Sequence, residues 1–192
     1  MFKDTWYLAG GTALTLHVGH RQSVDLDFFT PQGIIDEIAT ERTLVNTGHW
    51  NKTLRDTGTL YGTYMGAKMS LIAYPFFIPS AAEVRCGTVR ILTPEDIASM
   101  KIIAVSQRGR KRDFVDLYWY CKNRESLGTV VRRAMSQYPG QERNINHILK
   151  SLAYFDDAED DPMPKIFFKA SWKEIKLFFQ KEVKALALER FY

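Results

Sequence analysis

The sequence contains little that would point to secretion, disulfide bonding or a membrane. Only two cysteines, Cys86 and Cys121, occur in 192 residues, too few for a disulfide framework or a four-cysteine zinc site, and we expect both in the core. No apolar run approaches the roughly 20 residues that cross a bilayer. The segment Met1 to Thr5 lacks the basic and apolar stretches of a signal peptide. We therefore expect a cytoplasmic protein without membrane association.

The composition is that of a folded protein, since 45% of the residues are hydrophobic and 25% are charged. A chain of this length can bury a substantial core. The formal net charge is +4, but nine basic and three acidic residues fall within 101–133, so the rest of the chain is slightly acidic. A local basic field suits a phosphate-bearing ligand, although a solvated helical face would give the same pattern.

The first 92 residues have the pattern of a mixed α/β unit. The predicted strands, recognised by β-prone residues or by two-residue alternation, are 6–9, 24–29, three segments within 50–74 and one or two within 84–92. Two helices are predicted between them. One covers 12–20 after a glycine pair, and the other runs from Pro31 to about Glu41 with Thr30 as its cap.

The sequence pattern from Thr93 onward predicts helices and no strands. Thr93 and Pro94 form a strong helix start, and Ile97, Met100 and Ala104 would make its buried stripe. Further helices are expected from about 111, over 126–138 and 144–154, and after a capping box at 171–174, with an acidic linker or loop at 156–162. We predict an α/β core over 1–92, a small mixed sheet with flanking helices, and a helical part over 93–192 that closes an active-site cleft.

The most informative motif joins a glycine pair to an Asp-X-Asp sequence. Gly10, Gly11 and Thr12 lie at a strand-to-helix junction, where backbone N–H groups can receive a phosphate. Asp25 and Asp27 are two apart on a predicted strand, so both carboxylates project from one face. Paired carboxylates favour a hard divalent cation that is shared with substrate phosphates. Each piece alone would also arise as a turn or as the wet face of a strand, but their order and spacing favour a triphosphate site.

These residues resemble a known family. YLAGGTAL at 7–14 and HRQSVDLDFF at 20–29 resemble the first signature of the AbiEii/AbiGii-type nucleotidyltransferases, abortive-infection toxins of the DNA polymerase β-like superfamily. A second block, KIIA at 101–104 with RGRKRDFVDL at 108–117, resembles the same family. The resemblance implies a nucleotidyltransferase-like fold and transfer of a nucleoside monophosphate from a nucleoside triphosphate with Mg²⁺ or Mn²⁺. The acceptor in some members is RNA, notably tRNA, and a cognate antitoxin is an implied partner.

The resemblance also implies roles for individual residues. Asp25 and Asp27 would be the metal ligands, and with Lys101 and Asp113 they would form the catalytic set. The implied nucleotide-binding residues, taken from both signatures, are Gly10, Gly11, Thr12, Arg21, Ser23, Lys101 and Arg108.

The second block suggests a site on its own terms. Lys101 and Arg108 are seven residues apart, so they share one helix face, where a lysine and an arginine suit a triphosphate. One of Asp113 and Asp116 would complete the acidic centre or accept the proton of the attacking hydroxyl. We favour Asp113, because Asp116 lies four residues after Arg112 and so has an obvious ion-pair partner.

One departure from the superfamily pattern keeps other functions open. Members of the superfamily often carry a third carboxylate on a later strand, but the matching stretch, 68–72, has no acid. Unless Asp113, Asp116 or Asp56 supplies it, the chain could be a non-catalytic nucleotide- or RNA-binding relative. Another alternative is the same chemistry on a small molecule or a protein hydroxyl. His17 and His20 lack the further ligands of a metal site.

Overall fold

The computed structural model describes residues 5–80, 84–139 and 144–188, and a mixed sheet lies at its centre. The strands in these ranges are β1 (Tyr7–Ala9), β2 (Leu26–Thr30), β3 (Trp50–Asp56), β4 (Thr59–Tyr64), β5 (Ala67–Ala73), β6 (Val84–Cys86) and β7 (Val89–Ile91). They form one sheet in the order β3-β4-β5-β2-β1-β7-β6. The predicted α/β class and the antiparallel meander over 50–74 are confirmed.

Helices cover the sheet and make up most of the second half of the chain. They are α1 (Gly10–Val18), α2 (Glu37–Val45), α3 (Pro94–Arg108), α4 (Lys111–Asn123), α5 (Leu127–Gln137), α6 (Ile145–Leu152), α7 (Asp156–Glu159) and α8 (Trp172–Leu188). Two of the predicted caps are present: Thr93 Oγ1 accepts from Asp96 N at 3.3 Å, and Ser171 and Glu174 form the reciprocal capping box. No helix in the described ranges is long and apolar enough to span a bilayer.

The register of the central strands determines which side chains meet above the sheet. β2 runs antiparallel to β1 and parallel to β5. In this register Asp27 is paired with Ala9 on one side and with Ser70 on the other. Since α1 begins directly after Ala9, the glycine pair lies beside Asp27.

The prediction of a helix from Pro31 to Glu41 is wrong at its start. Thr30 is fully buried as the last residue of β2, and its carbonyl accepts from Tyr74 N at 2.7 Å. The cap of α2 is Asp36, whose carboxylate accepts from Ala39 N at 2.8 Å. A threonine–proline pair therefore ended a strand here, because pairing with the neighbouring strand outweighed a local capping signal.

Two smaller expectations also need correction. The acidic stretch after 155 is not only a loop, since Asp156–Glu159 form the short helix α7. Cys86 is exposed on β6, and only Cys121 is partly buried. β6 lies at the edge of the sheet, and all three of its residues are exposed.

The core is continuous between the sheet and the helical half. Buried residues of β1, β2, α3, α4 and α8 belong to one hydrophobic cluster. Within it, the Phe114 ring of α4 lies 5.3 Å from Phe179 of α8 and 5.8 Å from Trp172, and both contacts are edge-on. The last helix is thereby fixed to the helix that carries the second sequence block. The boundary between 92 and 93 stays a prediction.

We expect Phe179→Ala to destabilise the protein by about 3–5 kcal/mol, because it removes a fully buried ring from this cluster. The matched control on the same helix is Leu177→Ala, whose side chain is 54% exposed and should cost less than about 0.5 kcal/mol. Urea denaturation of both variants measures the difference. Equal stabilities would contradict the docking of α8 on α4.

Candidate active site

A cleft of about 530 Å³ lies between the sheet and helices α3 and α4. The predicted site residues that line it from the first signature are Gly10, Gly11, Arg21, Ser23, Asp25 and Asp27, and those from the second block are Lys101, Arg108 and Asp113. Thr12 lies behind this wall, with its hydroxyl 2.9 Å from that of Ser23. Two segments about 90 residues apart in the sequence therefore form opposite walls of one hollow.

The two glycines allow close approach of charged side chains. Gly10 has a φ of +71°, and a Cβ atom there would lie 2.7 Å from Asp27 Oδ2. A Cβ atom on Gly11 would collide with the guanidinium of Arg21. Glycine is therefore required at both positions for more than a turn, because Asp27 and Arg21 lie directly against the start of α1.

The carboxylates of Asp25 and Asp27 both face the cleft, but their surroundings differ. Asp27 Oδ1 accepts a hydrogen bond of 2.5 Å from Ser70 Oγ on the neighbouring strand. Asp25 Oδ2 lies 3.3 Å from Arg112 Nη1, and both of these side chains are partly exposed. Ser70 therefore orients Asp27 from the strand position where a third carboxylate was sought. The sequence offered no signal for this contact beyond the strand order.

Asp116 is the centre of a buried group of charges. Its Oδ1 accepts from Arg21 Nε at 2.5 Å and from His20 Nε2 at 2.7 Å. Its Oδ2 accepts from Arg21 Nη2 at 2.9 Å and lies 2.9 Å from Lys101 Nζ. Burial opposes ionisation, but Lys101, Arg21 and His20 outweigh it and hold the pKa of Asp116 well below its usual range.

Lys101 is not on a solvated face. It is 7% exposed, and its ammonium lies between the carboxylates of Asp113 and Asp116. Burial alone would lower the pKa of Lys101, but the two carboxylates raise it, so the side chain remains charged. The alternative interpretation, that Lys101 belongs to a solvated helical face, is therefore wrong. Its role in nucleotide binding stays a prediction.

The reason for preferring Asp113 over Asp116 is also wrong. Arg112 pairs with Asp25 and not with Asp116. The partners of Asp116 are His20, Arg21 and Lys101, and none of them lies on α4. Asp113 lines the cleft, and Asp116 is buried behind it. Sequence reasoning missed the part of Asp116 because spacing along one helix shows only local partners, whereas Arg21 lies 95 residues away.

The carboxylates of Asp25 and Asp27 suit a small hard cation only if a substrate supplies further oxygen ligands. In the ranges the structure describes, no group of three or more His, Cys, Asp or Glu side chains is placed to hold a metal ion. Asp113 is paired with Lys101, and the carboxylate of Asp56 accepts from Thr57 N on the exposed meander. Two carboxylates are nevertheless what Mg²⁺ takes from proteins that also bind a phosphate substrate. Asp25 and Asp27 therefore fit Mg²⁺ when phosphate oxygens of a bound substrate complete its coordination.

Part of the cleft lining is apolar and aromatic. It includes Phe29 and Tyr61 from the sheet, Tyr74 directly after β5, and Ile97, Met100 and Ala104 from α3. Met100 and Ala104 are only partly buried, so the predicted core stripe of α3 is in part a wall of the cleft. The Phe29 and Tyr74 rings are 5.5 Å apart and edge-on. Such a surface suits a planar base, whereas the cationic residues of the lining suit phosphates.

Comparisons with known proteins agree with this geometry. The family described as "Nucleotidyl transferase AbiEii toxin, Type IV TA system" matches residues 2–60 and 78–191. A protein of Aquifex aeolicus is 34% identical over 186 residues, covering 94% of this chain and 87% of the relative.

Solved structures show a similar fold at low identity. MenT4, a nucleotidyltransferase toxin from Mycobacterium tuberculosis, is 16% identical with a TM-score of 0.56, covering 97% of this chain and 77% of that one. A protein from H. pylori described as a nucleotidyltransferase is 17% identical with a TM-score of 0.53, covering 98% and 90%. The nucleotidyltransferase-like fold implied by the sequence is thus confirmed.

We expect Asp116→Asn to lower the free energy of unfolding by about 3–5 kcal/mol at pH 7, because it removes the buried counter-charge of Arg21 and one of the two carboxylates that pair with Lys101. The pKa of Asp116 is lowered on folding, so its contribution is fully present above the unfolded value of about 4 and declines as the pH falls below it. The gap between wild type and variant should therefore narrow below about pH 4. Denaturation curves at several pH values measure this, with the exposed Asp157→Asn as control. A constant gap would contradict a lowered pKa.

Proposed function

Because this chain belongs to the AbiEii nucleotidyltransferase toxin family, we propose that it transfers a nucleoside monophosphate from a nucleoside triphosphate to a hydroxyl group of RNA, with tRNA as the first candidate acceptor. The family assignment makes the chain a nucleotidyltransferase, in preference to a non-catalytic binding module. The finer assignments of cation, acceptor and residue roles are the proposal.

One observation carries the proposal: one cleft is lined by carboxylates, cationic side chains and aromatic rings. Asp25 and Asp27 line it together with Lys101, Arg108 and the rings of Phe29, Tyr61 and Tyr74. A nucleoside triphosphate has matching parts, since its base is planar and apolar on its faces and its phosphates are anionic. The volume of about 530 Å³ is within the range of small-molecule sites.

Asp25 and Asp27 would hold Mg²⁺ or Mn²⁺ together with the phosphates of the substrate. When bound, such an ion polarises the phosphoryl group under attack and neutralises charge on the leaving pyrophosphate. Ser70 fixes one oxygen of Asp27, which leaves Oδ2 beside Gly10 for the ion. The protein thus contributes a carboxylate that is already oriented before the substrate arrives.

The cationic wall contributes electrostatic stabilisation. Arg108 is exposed at the end of α3, lines the cleft and forms no ion pair with another described residue, so it can grip phosphate oxygens with two hydrogen bonds. Lys101 lies deeper, where its two carboxylate partners keep it charged and in place. In this arrangement the main role of Asp113 is to position Lys101. Its capacity to accept the proton of the attacking hydroxyl remains part of the proposal.

The biological setting follows from the family. As a toxin of this type, the protein would have a cognate antitoxin as its partner. A cytoplasmic location, where nucleoside triphosphates and RNA both occur, fits the proposed activity.

We expect Asp25→Asn and Asp27→Asn each to reduce transfer by about a hundredfold or more, because each removes a proposed cation ligand. Both variants should stay folded, since relief of carboxylate repulsion compensates for lost contacts. Transfer is measured with each labelled nucleoside triphosphate, total RNA and Mg²⁺, and label is sought in RNA and in protein. Mg²⁺ should raise the melting temperature of the wild type more than that of either variant. Wild-type rates in either variant would refute the cation site, and label only in protein would refute the RNA acceptor.

We expect Arg108→Ala to raise the KM for the nucleoside triphosphate about tenfold, through loss of a charge-assisted contact of about 1.5 kcal/mol. Its stability should be unchanged, because the side chain is exposed. Lys173→Ala on α8, an exposed cation outside the cleft, is the matched control for steady-state kinetics. An unchanged KM for Arg108→Ala would remove the end of α3 from the nucleotide site.

A further inference from the structure

A second hollow of about 500 Å³ adjoins the cleft at Asp25, and we name it the side groove. Residues 21–25 form one wall and residues 161–164 form the other, with Lys68, Arg110 and Arg112 along its length. Asp25 and Arg112 line both the cleft and the side groove. A ligand in the groove would therefore reach the carboxylate assigned to the cation without entering the nucleotide cleft.

The walls of the side groove are held together by backbone hydrogen bonds. Gln22 N donates to Lys165 O at 2.8 Å, and Phe167 N donates to His20 O at 2.8 Å. Asp161 anchors the same segment, because its carboxylate accepts from Lys111 N at 3.0 Å and from Arg110 at 2.8 Å. The groove is thus a built feature of the fold.

The cationic side chains along the side groove differ in whether a nearby carboxylate neutralises them. Arg21 is bound to Asp116 and Arg110 to Asp161, so both are neutralised locally. Lys68 is exposed at the start of β5 and forms no ion pair within the described part of the chain. Among the residues that the structure describes, Arg112 forms its ion pair with Asp25 alone, at 3.3 Å, and half of its side chain is exposed. Lys68 and Arg112 are the cations available to an anionic ligand.

Loading of the active site would increase this positive charge. Asp25 cannot serve Arg112 and a divalent cation equally, so a loaded site leaves the Arg112 guanidinium with donors free toward the groove. The groove would therefore attract phosphates most strongly when the enzyme is ready to react.

The opposite wall has a different chemistry. Pro162, Met163 and Pro164 present an apolar surface facing the cationic side. Single-stranded nucleic acid needs this combination, because its phosphates seek cations and its unstacked bases seek apolar surfaces. A peptide acceptor would have no phosphates to match the cations.

We infer that the side groove is the acceptor site and that it binds the sugar–phosphate backbone of single-stranded RNA through Lys68 and Arg112. This inference rests on the proposed function, since it names where the RNA acceptor lies. The groove places the hydroxyl to be modified beside Asp25, while the nucleoside triphosphate occupies the cleft on the other side of the acidic pair.

The first test measures binding without turnover. A fluorescently labelled single-stranded RNA of about 12 nucleotides is titrated with the full chain, and anisotropy is read in the absence of nucleoside triphosphate. We expect Lys68→Glu to weaken binding about tenfold and to reduce the slope of log K against log salt by about one or more. Lys173→Glu is the matched charge reversal on an exposed lysine outside the groove, and it should change the affinity less than twofold.

Asp25→Asn provides a test of opposite sign. It removes a negative charge from the groove and releases Arg112, so RNA should bind more tightly even though transfer is lost. Melting curves establish that each variant is folded. In turnover assays, Lys68→Glu should raise the KM for RNA and leave the KM for the nucleoside triphosphate unchanged.

Several outcomes would overturn the inference. Equal weakening by Lys68→Glu and Lys173→Glu would indicate a general charge effect. A raised KM for the nucleoside triphosphate with unchanged RNA affinity would assign the groove to the triphosphate. Label in a protein, with no RNA binding by the wild type, would refute both this inference and the proposed acceptor. The expected RNA binding pattern without any RNA labelling would instead support the groove and refute the proposed transfer.

Discussion

The buried carboxylate of Asp116 is the interaction on which the cleft depends. It holds Arg21 of the first signature and Lys101 of the second block, so one ionised group joins the two walls. Its pKa is kept low by those same cations, which means that the group stays charged over the physiological range. The charges of the group therefore depend on one another, because Asp116 is the buried carboxylate that both cations share.

The same interaction explains the division of labour in the second block. Asp113 and Asp116 lie one turn apart on α4, yet one faces the cleft and the other is sealed behind it. Lys101 bridges them, so its ammonium has a fixed position at the inner wall. Arg108, two turns further along the same face of α3, is open to the cleft. The site thus combines a rigid inner cation with an exposed outer one, an arrangement suited to a substrate that carries several phosphates.

Local patterns in the sequence predicted the strands, most helices and the residues that meet in the cleft. The glycine pair, the Asp-X-Asp strand and the face shared by Lys101 and Arg108 were readable because each depends on short-range periodicity. The pairing of Asp27 with Ser70, of Asp25 with Arg112 and of Asp116 with Arg21 was not readable. These contacts depend on strand order and on the docking of α4. The late start of α2 had the same origin, since sheet pairing of Thr30 outweighed a local helix signal.

The long sequence separation of the two walls has a consequence for synthesis of the protein on the ribosome. Arg21 and Asp116 are 95 residues apart, and α8, which packs against α4, begins only at Trp172. A nascent chain that has exposed only the glycine pair and the Asp-X-Asp strand has no opposite wall and no counter-charge for Arg21. The cleft can form only after α3 and Asp116 of α4 have been translated and have left the exit tunnel. Translation products that end before α3 therefore lack the wall that carries Lys101 and Arg108.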